Sequence, residues 1–172
     1  MQTTGTWVLR PLTMADVPSL LEWYNDEELH YIANSRAFVP YTLDELLTYW
    51  KKKLNREHAK FFVIEHNGVL IGRCGLNGSA QSRVEVEFSI LIARRALFGK
   101  GMGTEITKHM LDVAFTDPDV KRVRLYVRRD NERALRCYVK CGYRSVHAFT
   151  QNGVPTVMMQ VERDEWERSE RL

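Results

Sequence analysis

Phe98-Gly99-Lys100-Gly101-Met102-Gly103-Thr104 lies between an apolar, alternating stretch and an amphipathic one. Alternating glycines let the backbone turn without Cβ atoms in the way, so successive N–H groups converge on one anion at a helix start. Such a loop is either a plain joint between strand and helix or a cradle for a diphosphate. Beyond it Ile106, Met110, Leu111, Ala114 and Phe115 recur at helical spacing while Glu105, Lys108, His109 and Asp112 fill the opposite face. The spacing predicts a helix whose positive end meets the loop, which favours the cradle. A nucleotide P-loop needs Lys followed by Ser or Thr, whereas Lys100 precedes Gly101, and the dinucleotide pattern Gly-x-Gly-x-x-Gly is absent as well.

Upstream of the loop, Val84, Val86, Phe88, Ile90 and Ile92 alternate as one face of a strand over 84–92. Stretches 60–66 and 69–77 flank Asn67-Gly68, a strong signal for a two-residue hairpin turn. Downstream, the pattern predicts a strand over 121–129, a helix over 131–140 and a closing pair of strands around Gln151-Asn152-Gly153. Near the start, Val8–Leu12 reads as a short strand. Thr13 with Asp16 opens a helix to about Tyr24, a second helical stretch lies near 27–32, and Thr42 with Glu45 opens a third to about Leu54. Together these predict one α/β (α+β) domain over residues 1–172, antiparallel in its first half, with helices bridging the later strands. Residues 162–168 are mixed in charge sign and read as a solvated end with about one helical turn.

A chain of 172 residues suits one well-cored domain, and no run nears the ~18 apolar residues that span a bilayer. Nothing at residues 1–6 resembles a secretory signal, so the expectation is a soluble, cytoplasmic protein without a membrane partner. Net charge is +3 with arginines scattered along the chain, which argues against a nucleic-acid partner. The three cysteines, Cys74, Cys137 and Cys141, have no ligand-like histidines beside them, so no metal is expected and they read as reduced packing residues.

The glycine loop, its helix, a strand and then Asn131-Glu132-Arg133-Ala134-Leu135-Arg136-Cys137-Tyr138-Val139-Lys140-Cys141-Gly142-Tyr143 closely resemble the GNAT superfamily of acyl-CoA-dependent N-acetyltransferases. Leu9-Arg10-Pro11-Leu12 followed by Asp16 is similar to the opening of the same family, so the resemblance covers nearly the whole chain. It implies a mixed central sheet with flanking helices and acetyl-CoA as co-substrate. It also implies that Phe98, Gly99, Lys100, Gly101, Met102, Gly103 and Thr104 hold the coenzyme A diphosphate. Phe98 departs from the Gln or Arg usual in the family, which removes one side-chain anchor and leaves the backbone donors. By the same resemblance Ile90, Leu91 and Ile92 pair with the pantetheine arm like an added strand. Asn131 either contacts the cofactor or caps the helix that starts there. Arg133, with Arg136 and Lys140, forms a basic stripe from which one side chain could reach the ribose phosphate.

Acetyl transfer needs a neutral amine, yet an alkylammonium with pKa near 10.4 is neutral only about once in 2,500 molecules at pH 7, a cost of roughly 4.6 kcal/mol. Glu85 and Glu87, on one strand face, are the candidate bases, and Glu87 matches the position of a catalytic glutamate in several relatives. Tyr138 matches the tyrosine that hydrogen-bonds the departing thiolate, the alternative being a core tyrosine. Trp23, Tyr24 and Asp26, with Glu85, are expected at the acceptor, where acidic groups suit a cationic amine. Arg122, Arg124 and Arg128 share a strand face that could repel a polycation. Residues 115–120 and Arg136-Cys137-Tyr138 are similar to aminoglycoside 6′-N-acetyltransferases, and the amino-terminal half also resembles enzymes that acetylate ribosomal-protein N-termini. The expectation is direct attack in a ternary complex on a small cationic amine such as an aminoglycoside or polyamine. Alternatives are a protein α-amine acceptor or a non-catalytic CoA-binding module, and a homodimer is open as an assembly.

Overall fold

Asn67-Gly68 and Asn152-Gly153 all take positive φ, 51° and 76° in the first pair and 50° and 78° in the second. This mirror-image turn geometry matches the twist of paired strands. The turns join β2 (Ala59–His66) to β3 (Val69–Ser79) and β6 (Arg144–Gln151) to β7 (Val154–Glu162). The structure, a computed structural model, describes residues 6–79 and 82–171. With β1 (Trp7–Pro11), β4 (Ser82–Ile92) and β5 (Arg122–Arg128), the strands form a seven-stranded mixed sheet in the order β1-β2-β3-β4-β5-β7-β6.

Every neighbouring pair is antiparallel except β4 and β5. Those two are parallel: Glu85, Val86 and Glu87 pair with Arg122, Val123 and Arg124, and just before them Lys121 N donates to Val84 O at 2.7 Å. Past Glu87, β4 continues to Ile92 along β3, and β5 continues to Arg128 along β7, but the two no longer pair with each other. The sheet therefore splits at its middle, and β4 shows unpaired backbone on its β5 side.

The helices α1 (Val17–Tyr24) and α3 (Leu43–Leu54) cover one face of the sheet, burying Val17, Leu20, Leu46 and Trp50 against Phe61 and Val63. The other face is covered by α4 (Met102–Phe115), which buries Ile106, Met110, Leu111 and Phe115 against strand residues that include Phe88, Val123 and Leu125. The capping boxes expected from sequence are present, Thr13 with Asp16 and Thr42 with Glu45. Two short helices border the split, α2 (Glu27–Ala33) against β5 and α5 (Glu132–Lys140) against α4.

The chain end differs from the expected solvated turn. Residues Arg163–Glu170 form α6, whose Trp166 ring lies 5.0 Å from that of Phe115. Arg163 donates to the carbonyls of Phe115 (3.1 Å), Asp117 (2.5 Å) and Val120 (2.8 Å), tying α6 to the loop that follows α4. Among the described residues, no helix is long and apolar enough to cross a membrane.

Candidate active site

A cleft of about 1360 Å³ follows the split between β4 and β5 and extends between α1, α2 and α3. Its cradle end is built by the glycine loop. Gly99 and Gly101 take φ of 72° and 85°, and Gly101 is the residue that begins α4 with no side chain capping the helix. The first N–H groups of α4 are thus left without a protein acceptor, as an anion site requires. A Cβ on Gly99 or Gly101 would meet nothing within 4 Å, so what restricts these positions is their left-handed backbone and not space. These features fit the diphosphate of coenzyme A.

The members of the loop are not equivalent. Gly99, Gly101, Gly103 and Thr104 line the cleft, and so does Phe98. Lys100 is exposed and off the wall, while the Met102 side chain is 1% exposed and belongs to the core, so these two offer backbone only. Phe98 carries the Arg133 guanidinium 3.5 Å from its ring centroid. The aromatic residue that departs from the family pattern therefore holds a cation at the mouth of the cradle. Burial pushes the Arg133 pKa below its ordinary value.

Ile90, Leu91 and Ile92 line the cleft on the stretch of β4 whose β5 side has no strand partner. Glu87 also lines it, at the last paired position before the split, with Asn77 opposite on β3 and Arg124 on β5. Its neighbour Glu85 is off the wall. That carboxylate is held by Arg122 at 3.4 Å and by Arg124, so its expected place at the acceptor is corrected: it binds the two strands where they still pair. Arg122 is also ion-paired with Glu162 at 3.2 Å, and of the three β5 arginines only Arg128 reaches the cleft, tied to Asp130 at 2.7 Å.

Tyr138 lines the cleft from α5, with its ring edge-on to Tyr143 at 5.7 Å, and burial holds its phenol above the ordinary value. Asn131 touches the cleft, but its side chain is committed. It accepts from Ala134 N at 3.2 Å as the cap of α5 and donates to Ile32 O at 3.1 Å. Cys137 sits on the wall beside Tyr138, accepting from Thr104 Oγ1 at 3.3 Å. Cys141 Sγ donates to Thr104 O at 3.5 Å, and the polar side chains around Cys137, those of Cys141 and Thr104 among them, bring the Cys137 thiol below its ordinary value despite partial burial.

At the acceptor end, Trp23 and Tyr24 line the cleft as expected, together with Tyr41 and Tyr49. Asp26 does not. It caps α2 through Leu29 N at 2.9 Å and is forked by Arg95 at 3.1 and 3.2 Å, which holds its carboxyl below the ordinary range. The acidic side chains on the wall are Glu45 and Glu87, and Glu45 is engaged by Thr42 N at 2.8 Å. Against them stand Arg36, Lys53, Arg73 and Arg128. The sequence reading missed Arg73, Lys53 and Asn77; the signal it could have used was one arginine inside the apolar run of β3.

Comparison with known proteins follows the same lines. The family model described as an acetyltransferase (GNAT) domain matches residues 7–144. An aminoglycoside N(6′)-acetyltransferase type 1 of Serratia marcescens is 28% identical over 174 residues, covering 95% of this chain and 87% of the relative. A spermidine N(1)-acetyltransferase of Escherichia coli is 26% identical over 156 residues, 84% of this chain and 78% of the relative. A solved aminoglycoside acetyltransferase in complex with coenzyme A superposes with a TM-score of 0.79 at 25% identity, over 96% of this chain and 99% of that one. A spermidine N-acetyltransferase from Vibrio cholerae in complex with CoA and spermine shares the fold, with a TM-score of 0.81 at 21% identity over 94% and 98% of the two chains.

Proposed function

Because the chain belongs to the acetyltransferase (GNAT) family and is an acetyl-CoA-dependent N-acetyltransferase, we propose that residues 1–172 act as one catalytic domain in which a small primary amine attacks the thioester directly. The observation that carries the reading is the split between β4 and β5, which puts the cradle, the unpaired edge of β4, Glu87 and Tyr138 on one wall. Acetyl-CoA supplies the acyl group as a thioester. Gly99, Gly101, Gly103 and Thr104 grip the diphosphate through backbone N–H groups, Arg133 stands beside them on Phe98, and Ile90–Ile92 align the arm.

Glu87 takes a proton from the ammonium of the acceptor, directly or through water, offsetting the cost of neutralising it. As the new C–N bond forms and the C–S bond breaks, the Tyr138 hydroxyl donates a hydrogen bond to the departing sulfur. A phenol held above its ordinary pKa remains protonated and suits charge stabilisation better than full proton release. Cys137 is off this path, since direct transfer needs no covalent acetyl-enzyme.

The relatives' names put aminoglycosides and spermidine at the head of the acceptor panel, with N-terminal peptides next. The test is thiol release from acetyl-CoA over that panel. Tyr138→Phe is expected to lower kcat by about 100-fold with little change in the KM for acetyl-CoA, and Glu87→Gln to lower kcat/KM by a comparable factor at neutral pH. Acetyl-CoA binding without turnover on any amine would favour a binding module, and full activity in Glu87→Gln would remove the base assignment.

A further inference from the structure

We infer that the acceptor carries a carboxylate as well as its reactive amine, and that Arg73 receives it at the floor of the acceptor end. The inference rests on the acetyl-transfer reading above and adds the charge character of the substrate.

Arg73 lies in β3 with the adjacent positions Gly72 and Cys74 buried, and its guanidinium stands 5.5 Å from the Tyr24 ring and 5.4 Å from the Trp50 ring. Its Nε and Nη1 are shielded from water without a hydrogen-bond partner, and among the described residues no carboxylate lies within ion-pair distance of it. A guanidinium is charged at any working pH. Two ring faces offset only part of what a shielded cation without an anion loses on leaving water. A group that lines an open cleft and lacks an anion is built to meet one.

The surroundings point the same way. Lys53 Nζ stands over Tyr49, Trp50 and Phe61 at 4.9, 5.5 and 5.2 Å and is also without an ion pair among the described residues. Tyr24 Oη is shielded and lies close to Arg73 without a hydrogen bond of good geometry, and burial pushes its phenol up to about 12, so it stays protonated. The nearest acidic lining groups are accounted for, with Glu45 tied to Thr42 and Glu87 at the split.

The sheet sets the spacing. Asn77 pairs with Glu87 and Arg73 with Leu91. Four residues of strand separate the two pairs, on the order of 13 Å along the backbone, shortened by the reach of the side chains. The Asn77 Oδ1 is itself shielded and unpartnered. An ammonium held by Glu87 and Asn77 and a carboxylate on Arg73 thus describe an amino acid whose reactive amine ends a side chain of several bonds. A bare polyamine has nothing to place on Arg73.

The experiment uses matched probes differing only in the carboxylate, L-lysine against cadaverine, with spermidine and kanamycin alongside. Thiol release is measured by kcat and KM, and binding by calorimetry on the protein loaded with coenzyme A. Lysine is expected to exceed cadaverine at least tenfold in affinity and in kcat/KM, the difference lying in KM. In Arg73→Gln the ratio should fall to about one, with Arg73→Lys between, while acetyl-CoA affinity is kept. Cadaverine, spermidine or kanamycin matching lysine in the unmodified protein would overturn the carboxylate site, and so would an unchanged ratio in Arg73→Gln. If Arg73→Gln fails to fold, the comparison in the unmodified protein still decides. Tight lysine binding that depends on Arg73 without acetyl transfer would leave the site standing and sink the proposed reaction instead.

Discussion

Single glycines in the loop differ in what they do. Gly101 needs its left-handed backbone, φ 85°, and any side chain there incurs about 1–2 kcal/mol of strain. Gly103 lies inside α4, and a Cβ would make ordinary contacts with Ile92 Cδ1 at 3.7 Å and Cys137 Sγ at 3.9 Å. Gly101→Ala is expected to weaken acetyl-CoA binding about tenfold or more, and Gly103→Ala by much less, both read by calorimetry. The cysteines differ just as sharply. Cys137 is held below its ordinary value by the polar side chains of Cys141 and Thr104 and lines the cleft, whereas burial pushes Cys74 up to about 12. Iodoacetamide followed by mass spectrometry is expected to mark Cys137 first, with a rate midpoint below that of an ordinary thiol, and bound acetyl-CoA to slow it because Cys137 lines the cleft.

Between elements, Asp16 ties β1 to the start of α1. It accepts from Arg10 at 3.0 and 2.7 Å and from Thr13 N at 2.8 Å, and its side chain is 10% exposed. The Arg10 bond holds its carboxyl below the ordinary value. A group whose pKa is lowered by folding adds stability that is complete above the unfolded pKa, near 3.9, and is lost as pH falls through the folded one. Asp16→Asn is expected to reduce stability by about 1–2 kcal/mol at pH 7, and by less as acid protonates Asp16 in the parent. Denaturant unfolding at pH 7 and pH 3 measures both. This element was legible in the sequence, since Thr13-x-x-Asp16 is a local cap. The role of α6 was not, because the bonds of Arg163 reach carbonyls more than forty residues away and leave no mark on the charged run around it.

Across the whole molecule, the cleft joins parts of the chain that pack separately, so cofactor binding stabilises the sheet and both helical layers together. Acetyl-CoA at about 100 times its Kd adds about 2.7 kcal/mol. A chain of this size is then expected to melt roughly 5–10 °C higher, as read by a thermal scan, and Gly101→Ala should lose most of that shift. At this scale the hairpins, the cradle and the order of strands and helices could be read from residues alone. The choice between Glu85 and Glu87 could not, because both occupy one strand face and only the end of the β4–β5 pairing separates them. Asp26 likewise reads as an acceptor group until Arg95 is seen to hold it.

By itself, the sequence determined what short-range chemistry controls: turns with positive φ, capping boxes, strand and helix periods, and a glycine loop in a family-specific order. Those signals act over a few residues, so they survive in the linear pattern. Long-range packing set where β4 and β5 part, which carboxylate faces the cleft, and that Arg73, beside Tyr24 and Trp50, has no ion pair among the described residues. Such outcomes depend on which distant side chains meet and which backbone edge is left without a partner, and neither is written in local spacing.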